Sequence, residues 1–401
     1  MPRNLLILTS HFPNDPLTSE SWLADEIEYS HSFFDTIYIL PDKNSEKYVP
    51  LPANCQVLEL KKDVFTSLNI KEKWNCLKIV TSDFKFYPNK FDFFKSFRYN
   101  LSLLKALHLK AKEIKYRCAG LNENTIIYAY WADNLATIAC IISQMYGPYK
   151  IVSRGHGFEI FEDQTKYGIV PFRQFHYRFL TKLYADSRKG FLHLQSKKNS
   201  PKSINTYSYV GTKNIGISIL DHSLPFSIAT CSNIRAVKRL HLMPRILKYI
   251  SFNMTWHILG AGEDLDKIKD LNSKLPENIK VVYHGYLSNH EIMNFYKKNS
   301  VNLFVSLSSS EGLPVSMMEA QSFGIPIMST DVGGCNEICH EETGFLIERD
   351  FDPKEVAMKL NEFKDSGKNT LQFRKQCREH WENNFDAKHN YTNFSKKLSE
   401  L

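Results

Sequence analysis

Residues 301–337 read VNLFVSLSSSEGLPVSMMEAQSFGIPIMSTDVGGCNE, and their division into elements sets the fold. Val301–Leu307 is an apolar run of strand length, short enough to be a buried strand rather than a helix. Ser308, Ser309 and Ser310 break it, and Glu311-Gly312-Leu313-Pro314 makes a turn. Pro314 suits a first helical position, where the missing N–H has no partner to lose. The predicted helix runs through Val315, Met317, Met318, Glu319 and Ala320 and stops at Gly324. A second buried strand, Ile325–Met328, follows, and then a loop at Gly333-Gly334. Strand, helix and strand in this order make a βαβ unit of a parallel sheet.

That geometry suggests a chemistry. A helix start beside a loop of small residues offers free backbone N–H groups and a partial positive charge, which suit a diphosphate. Gly312 lets backbone approach a ligand with no Cβ in the way. Glu311 falls in the loop and Glu319 about one and a half turns into the helix, roughly 7 Å along its axis. Two carboxylates beside phosphates repel them, so their natural partners are sugar hydroxyls. Spacing alone leaves open a plain βαβ unit with one surface and one capping glutamate.

EGLPVSMMEAQSFGIPIMSTDVGGCNE resembles the E-x7-E signature of family 4 glycosyltransferases. The resemblance implies an α/β protein of the GT-B type. Two Rossmann-like domains would face a central cleft, and a C-terminal helix would cross back to the first. The implied layout is an acceptor-side domain over 1–205, a nucleotide-sugar-binding domain over 206–375 and the returning helix over 376–401. The implied reaction is a transfer with retention, from a UDP- or GDP-sugar to a glycan or lipid-linked acceptor in surface polysaccharide synthesis. No metal or other cofactor is expected.

The bulk composition agrees with an ordinary folded protein. A length of 401 residues allows two domains with full cores. The 43% hydrophobic and 23% charged content is that of a soluble chain. Cysteines are scattered without metal-binding spacing, which fits a reducing compartment. MPRNLLILTSHFP has too short an apolar core for a signal peptide, and no run is long enough to span a membrane. The expected location is the cytoplasm, peripheral to the inner face of the cell membrane.

The net charge of +8 is concentrated between Lys61 and Arg117. Within this stretch KFYPNKFDFFKSFRYN (85–100) interleaves Lys85, Lys90, Lys95 and Arg98 with aromatic residues, and a long amphipathic helix is predicted over 93–117. Cations alternating with rings suit an anionic membrane surface at the inner leaflet. The alternative is a helix with its rings in the core and its lysines in water. No nucleic-acid-binding motif accompanies the charge, so nucleic acid is not an expected partner.

Earlier in the chain, strands are predicted at Asn4–Thr9, Thr36–Leu40, Gln56–Leu60, Thr125–Tyr130 and Lys150–Ser153. Asp186–Gln195 is expected to close the first sheet. The loop Ser10–Glu20 lacks the glycine-rich turn usual in family 4, which argues against a close phosphate contact there. It resembles instead a form found in polysaccharide-assembly members, with Glu20 and Glu26 placed in the helix over 21–29. Trp131 stands at the end of a strand, where ligands of open α/β sheets gather. SRGHGFEIFED (153–163) resembles the R-x-H-G segment of capsule and lipopolysaccharide glycosyltransferases. This implies His156 at the sugar-transfer centre, with Arg154 and Gly155 lining the acceptor side. Spacing alone favours instead a turn whose histidine merely satisfies backbone groups.

In the second half, Val210-Gly211-Thr212 resembles the family loop that faces the cleft. SNIRAVK (232–238) resembles its phosphate-binding segment, with Lys238 on the lysine and Asn233 where many relatives have arginine; Arg235 could supply that charge. Gly260 and Gly285 fall in turns on the nucleotide side. The implied donor site thus gathers Asn233, Arg235, Gly260, Gly285, Gly312, Leu313, Pro314, Val315 and Glu319, with His156, Lys238 and Glu311 as the catalytic set. Asp264-Leu265-Asp266 spells a metal-binding D-x-D, but at a helix start, where acids simply favour the dipole. Two rival functions remain: a GT-B nucleotide-sugar epimerase, and a non-catalytic scaffold that binds glycan or nucleotide.

Overall fold

Leu5, Leu6, Ile7 and Leu8 are all at most 2% exposed, so the first strand is covered on both faces. A strand buried on two sides reads as a continuous apolar run, the mark of a parallel sheet between helices. The computed structural model describes residues 3–14, 20–45, 47–60, 64–118 and 121–401. Residues 15–19 of the glycine-free loop and 61–63 of the basic stretch lie outside these. The chain divides into two units, Met1–Tyr209 with Tyr391–Leu401, and Val210–Asn390.

The first unit is built on β1 (Asn4–Thr9), β2 (Thr36–Pro41), β3 (Cys55–Val57), β4 (Thr125–Ala129), β5 (Lys150–Gly155), β6 (Lys182–Ala185) and β7 (Asn205–Tyr207). They form one parallel seven-stranded sheet in the order β3-β2-β1-β4-β5-β6-β7. Alternation along β1 sorts its side chains. Leu6 and Leu8 join the core under the helices Lys90–Arg117 and Asn134–Tyr146. Leu5 and Ile7 join the opposite core, with Ile27 of the helix Ser21–Ser30 and Phe394 and Leu398 of the last helix, Ala387–Ser399.

The second unit is built on β8 (Phe226–Cys231), β9 (Met254–Leu259), β10 (Ile279–Gly285), β11 (Leu303–Ser306), β12 (Ile327–Thr330) and β13 (Gly344–Ile347). Its six strands are parallel in the order β10-β9-β8-β11-β12-β13. Both units are Rossmann-like, as the GT-B reading requires.

Three expectations need correction. Asp186–Gln195 does not close the first sheet: Ser187 caps the helix Arg188–Ser196 by accepting the Gly190 N–H at 3.1 Å, and β6 and β7 do the closing. The third strand is shorter and starts earlier than Gln56–Leu60. Pro314 is the residue before the helix Val315–Ser322 rather than its first member.

Candidate active site

In each sheet the strand order reverses once, between β1 and β4 and between β8 and β11. Loops leaving adjacent strands there run to opposite faces and open a crevice at the carboxyl ends, the usual ligand position of such sheets. In the second unit the crevice is bounded by 232–238 after β8 and 307–314 after β11. Lys238, in the short turn Ala236–Lys238, reaches Glu311 with Nζ–Oε1 at 2.6 Å. Both side chains are largely covered, 26% and 11% exposed. The Ser309 N–H donates to the Val237 carbonyl at 2.8 Å and ties the two loops together. Lys238, Glu311 and Ser316 line one small cavity with Ser232 and Ser308.

Glycines set this geometry. Gly333 has φ +52°, and a Cβ there would collide with the Glu311 carbonyl oxygen; next to it the Gly334 N–H donates to the Gly312 carbonyl at 2.7 Å. The Gly-Gly loop therefore clamps the Glu311 turn from behind. Gly260, at φ +136°, lies so close to the Ser232 carbonyl that a Cβ would not fit, and its N–H donates to the Gly285 carbonyl at 2.8 Å. Gly260 and Gly285 thus position the loop that carries Lys238.

The helix Val315–Ser322 begins just past Glu311, and its first amides have no intrahelical acceptor. Glu319, 7% exposed, lies inside that helix and accepts a bond from Asn289 Nδ2 at 2.5 Å. Asn233 and Arg235 are exposed, and of the three phosphate-segment residues only Lys238 meets Glu311. Gly211 is buried, its Cα against the Ala387 backbone where a Cβ would collide, so close packing explains the glycine. Two residues here were missed. Asn289 fixes Glu319, and Arg239, at φ +48°, braces the end of β11 by donating to the Leu307 and Arg349 carbonyls, each at 2.7 Å. Nothing in the sequence separates either from an ordinary surface residue.

The crevice of the first unit is built differently. Glu20 is not in the helix over 21–29 but just before it, at φ +59°, and its carboxylate turns back into the loop after β1. It accepts the N–H groups of Ser10, His11 and Phe12 at 2.9, 2.8 and 2.8 Å, and the Trp131 indole N–H at 2.5 Å. The amides that could meet a phosphate are therefore already occupied. Trp131 packs on His156, with ring centroids 4.5 Å apart.

His156 follows β5, with Nδ1 3.1 Å from Glu159 Oε2, which also accepts the His156 backbone N–H at 2.8 Å. Burial pushes His156 down to about 4 and Glu159 up to about 8. Burial, with Glu159 nearby, raises Asp133 to about 7. Near neutral pH the ring and the Glu159 carboxyl are thus uncharged, and the hydrogen bond between them holds the ring in place at Nδ1. His156 Nε2 is covered and has no hydrogen-bond partner among the described residues, the kind of atom a polar substrate group would satisfy.

Arg154 is not available to an anionic ligand in this structure. It is fully buried, pairs with Glu26 at 2.8 Å and stacks over the Phe394 ring at 4.3 Å. At Gly155 a Cβ would meet the Ile160 side chain, which would have to shift to admit it. Asp133 and Glu159 were not singled out in the sequence, where each looks like a cap near a helix start.

The basic stretch presents two faces. Tyr87 and Phe93 are buried, while Phe91, Phe94, Lys95, Arg98 and Tyr99 form one exposed stripe on the helix. Lys85 is exposed, 5.0 Å from the Phe86 ring centre. Lys90 is engaged with the protein, donating to the carbonyls of Phe84, Lys85 and Tyr87 at 3.1, 3.0 and 2.9 Å. Among the described residues no helix is long and apolar enough to cross a membrane. No group of three or more His, Cys, Asp or Glu among them could hold a metal, and Asp264 directly precedes the helix Leu265–Asn272.

Residues 225–380 match the family described as Glycosyl transferases group 1. The second unit carries a group 1 glycosyl transferase domain. Over 187 residues the chain is 31% identical to the O-antigen biosynthesis glycosyltransferase WbnH of Escherichia coli, covering 43% of this chain and 50% of that protein. The chain thus spans about half the length of the O-antigen relatives it matches. Its fold is similar to that of Anabaena Alr3699/HepE in complex with UDP, with a TM-score of 0.67, 14% identity and 100% of both chains covered. It is also similar to sucrose-phosphate synthase from Thermosynechococcus elongatus, with a TM-score of 0.74, 12% identity and 100% and 99% of the chains covered.

Proposed function

We propose that this protein is a retaining glycosyltransferase that moves a sugar from a nucleotide-sugar donor, a UDP- or GDP-sugar, onto a glycan or lipid-linked acceptor in surface polysaccharide synthesis. The observation that carries this is the Lys238–Glu311 pair at the crevice of a group 1 domain, beside the start of the helix Val315–Ser322. A diphosphate there competes with Glu311 for Lys238 and meets the open amides of the helix. As the C1–O bond to the diphosphate breaks, negative charge grows on the leaving oxygen, and the ammonium and amides stabilise it. Glu311, released from Lys238, accepts from a hydroxyl of the transferred sugar. Glu319, held by Asn289, accepts from the ribose. His156 offers a neutral ring to a sugar oxygen.

No metal takes part in the proposed reaction, since Lys238 and the helix start supply the positive charge. O-antigen glycosyltransferases among the relatives, and UDP in the structure of similar fold, support a nucleotide-sugar donor and a surface-glycan acceptor. The exposed stripe Phe91, Phe94, Lys95, Arg98 and Tyr99 supports docking on an anionic membrane. The deciding experiment incubates the protein with labelled UDP- and GDP-sugars, a chelator and lipid-linked acceptors. Label transferred to the acceptor supports the reading. A new isomer formed from donor alone would establish the epimerase instead.

A further inference from the structure

The first unit has a second concave surface on the side of the amino ends of its central strands. The helix Asn134–Tyr146 leaves the carboxyl end of β4 and returns to the amino end of β5, so Gln144–Tyr146 lie opposite the crevice. They border a cavity of about 520 Å³ with the helix Ile70–Ser82 and His108, within the size range of small-molecule sites. Lys71, Trp74, Asn75 and Lys78 line it. Their spacing places them on one face of that helix.

We propose that this cavity binds an acidic oligosaccharide. Trp74 is 59% exposed and Tyr146 42%, large rings left to water at the rim of a cavity. The flat C–H face of a pyranose covers such a ring and removes apolar surface from water. Lys71 and Lys78 have no ion-pair partner among the described residues, and they stand on either side of Trp74, about 10 Å apart along the helix. Cations flanking a ring on both sides fit a chain whose anionic groups recur along its length. A nucleotide, with its phosphates at one end of the base, does not match this arrangement.

The polar lining suits sugar hydroxyls. Asn75 Nδ2 donates to Gln144 Oε1 at 2.5 Å, a pair of amides with further donor and acceptor capacity at the cavity wall. His108 is 1% exposed and lines the cavity, and its Nε2 has no hydrogen-bond partner among the described residues; Glu72, which also lines the cavity, is 4.0 Å away and is paired with Lys112 at 3.0 Å. Burial lowers His108 and keeps it neutral, so this nitrogen can bond a hydroxyl without placing a charge in the site. A buried ring nitrogen left unsatisfied beside a large cavity calls for a ligand atom.

The site does not depend on the transfer reaction, and its test is a binding measurement. The full chain is titrated by calorimetry, a readout that does not rely on Trp74 itself, against a tetrasaccharide of alternating uronic acid and N-acetylhexosamine. The neutral chitotetraose, UDP and phosphatidylglycerol vesicles are titrated in parallel. The acidic tetrasaccharide is expected to bind, with affinity falling at high salt and roughly tenfold or more in the Lys71→Gln/Lys78→Gln double variant. Trp74→Ala should abolish that binding with an unchanged melting temperature, and Lys238→Ala should leave it intact. No binding of the acidic sugar, or equal binding by Trp74→Ala, overturns the proposal. Trp74-dependent binding of UDP or of vesicles in place of the sugar also overturns it.

Discussion

The two crevices share a topology and differ in what fills them. In the first unit, the loop after β1 wraps its N–H groups around the Glu20 carboxylate, and the carboxyls of Asp133 and Glu159 are pushed up to about 7 and 8. In the second, the corresponding loops are fitted together by glycines and carry the Lys238–Glu311 ion pair. One crevice has met its anion internally; the other keeps a cation that an incoming diphosphate can claim. A parallel sheet supplies the crevice in both cases, and the loop residues decide whether it is plugged or open.

The largest effect is expected where the open crevice is broken. Lys238→Ala should lower kcat/KM by roughly 10²–10³, the loss of one preorganised donor, and Glu311→Ala should do at least as much, both with the fold intact. Because the two side chains touch, the double variant should lose far less than the product of the single losses. Full additivity of the two changes in steady-state kinetics would show that they act on separate steps. Glu319→Ala should instead raise the donor KM about tenfold, with a smaller effect on kcat.

The plugged crevice should break in stability before activity. Glu20→Ala leaves three backbone N–H groups and the Trp131 indole N–H without their acceptor. The expected cost is on the order of 3 kcal/mol, read from urea unfolding. Added acetate or phosphate should then raise the melting temperature of this variant more than that of the parent. An anion that stabilises both equally would show that the loop is no anion nest.

The sequence makes the Glu311 side of the open crevice legible because that side is local, although its partner Lys238 lies 73 residues away. Glu311, Gly312 and Glu319 fall within one βαβ unit and Gly333 in the loop just after it, and glycines advertise their backbone roles. The plugged crevice is much less so. Glu20 and Trp131 are distant in sequence and meet only because β1 and β4 are neighbours. Arg154 reads as a ligand-binding charge in its motif, yet Glu26 and Phe394 enclose it from elsewhere in the chain. β7, reading NTY, has no apolar run to announce an edge strand, and Arg239 braces a loop from a position that looks solvated.

The last expected effect concerns protons, and it separates the two crevices by charge. Burial holds Glu159 at about 8 in the folded chain against an ordinary 4.5. Below 4.5 both folded and unfolded chains bind this proton, and the stability it contributes is fully present. As pH rises from 4.5 the unfolded chain gives up the proton while the folded chain keeps it, so stability falls until pH passes 8. His156 works in the opposite sense: held at about 4 against 6.5, it contributes stability above 6.5 that is lost as pH falls through 4. Glu159→Gln keeps an acceptor for the His156 backbone N–H and removes only the titration of the carboxyl. Its melting temperature relative to the parent should therefore climb steadily between pH 5 and pH 8, by about 2–4 °C for each kcal/mol of linkage removed. A difference that stays flat over that range would mean that Glu159 is ionised in the folded chain, and that the first crevice holds its histidine against a charge as the second holds its lysine.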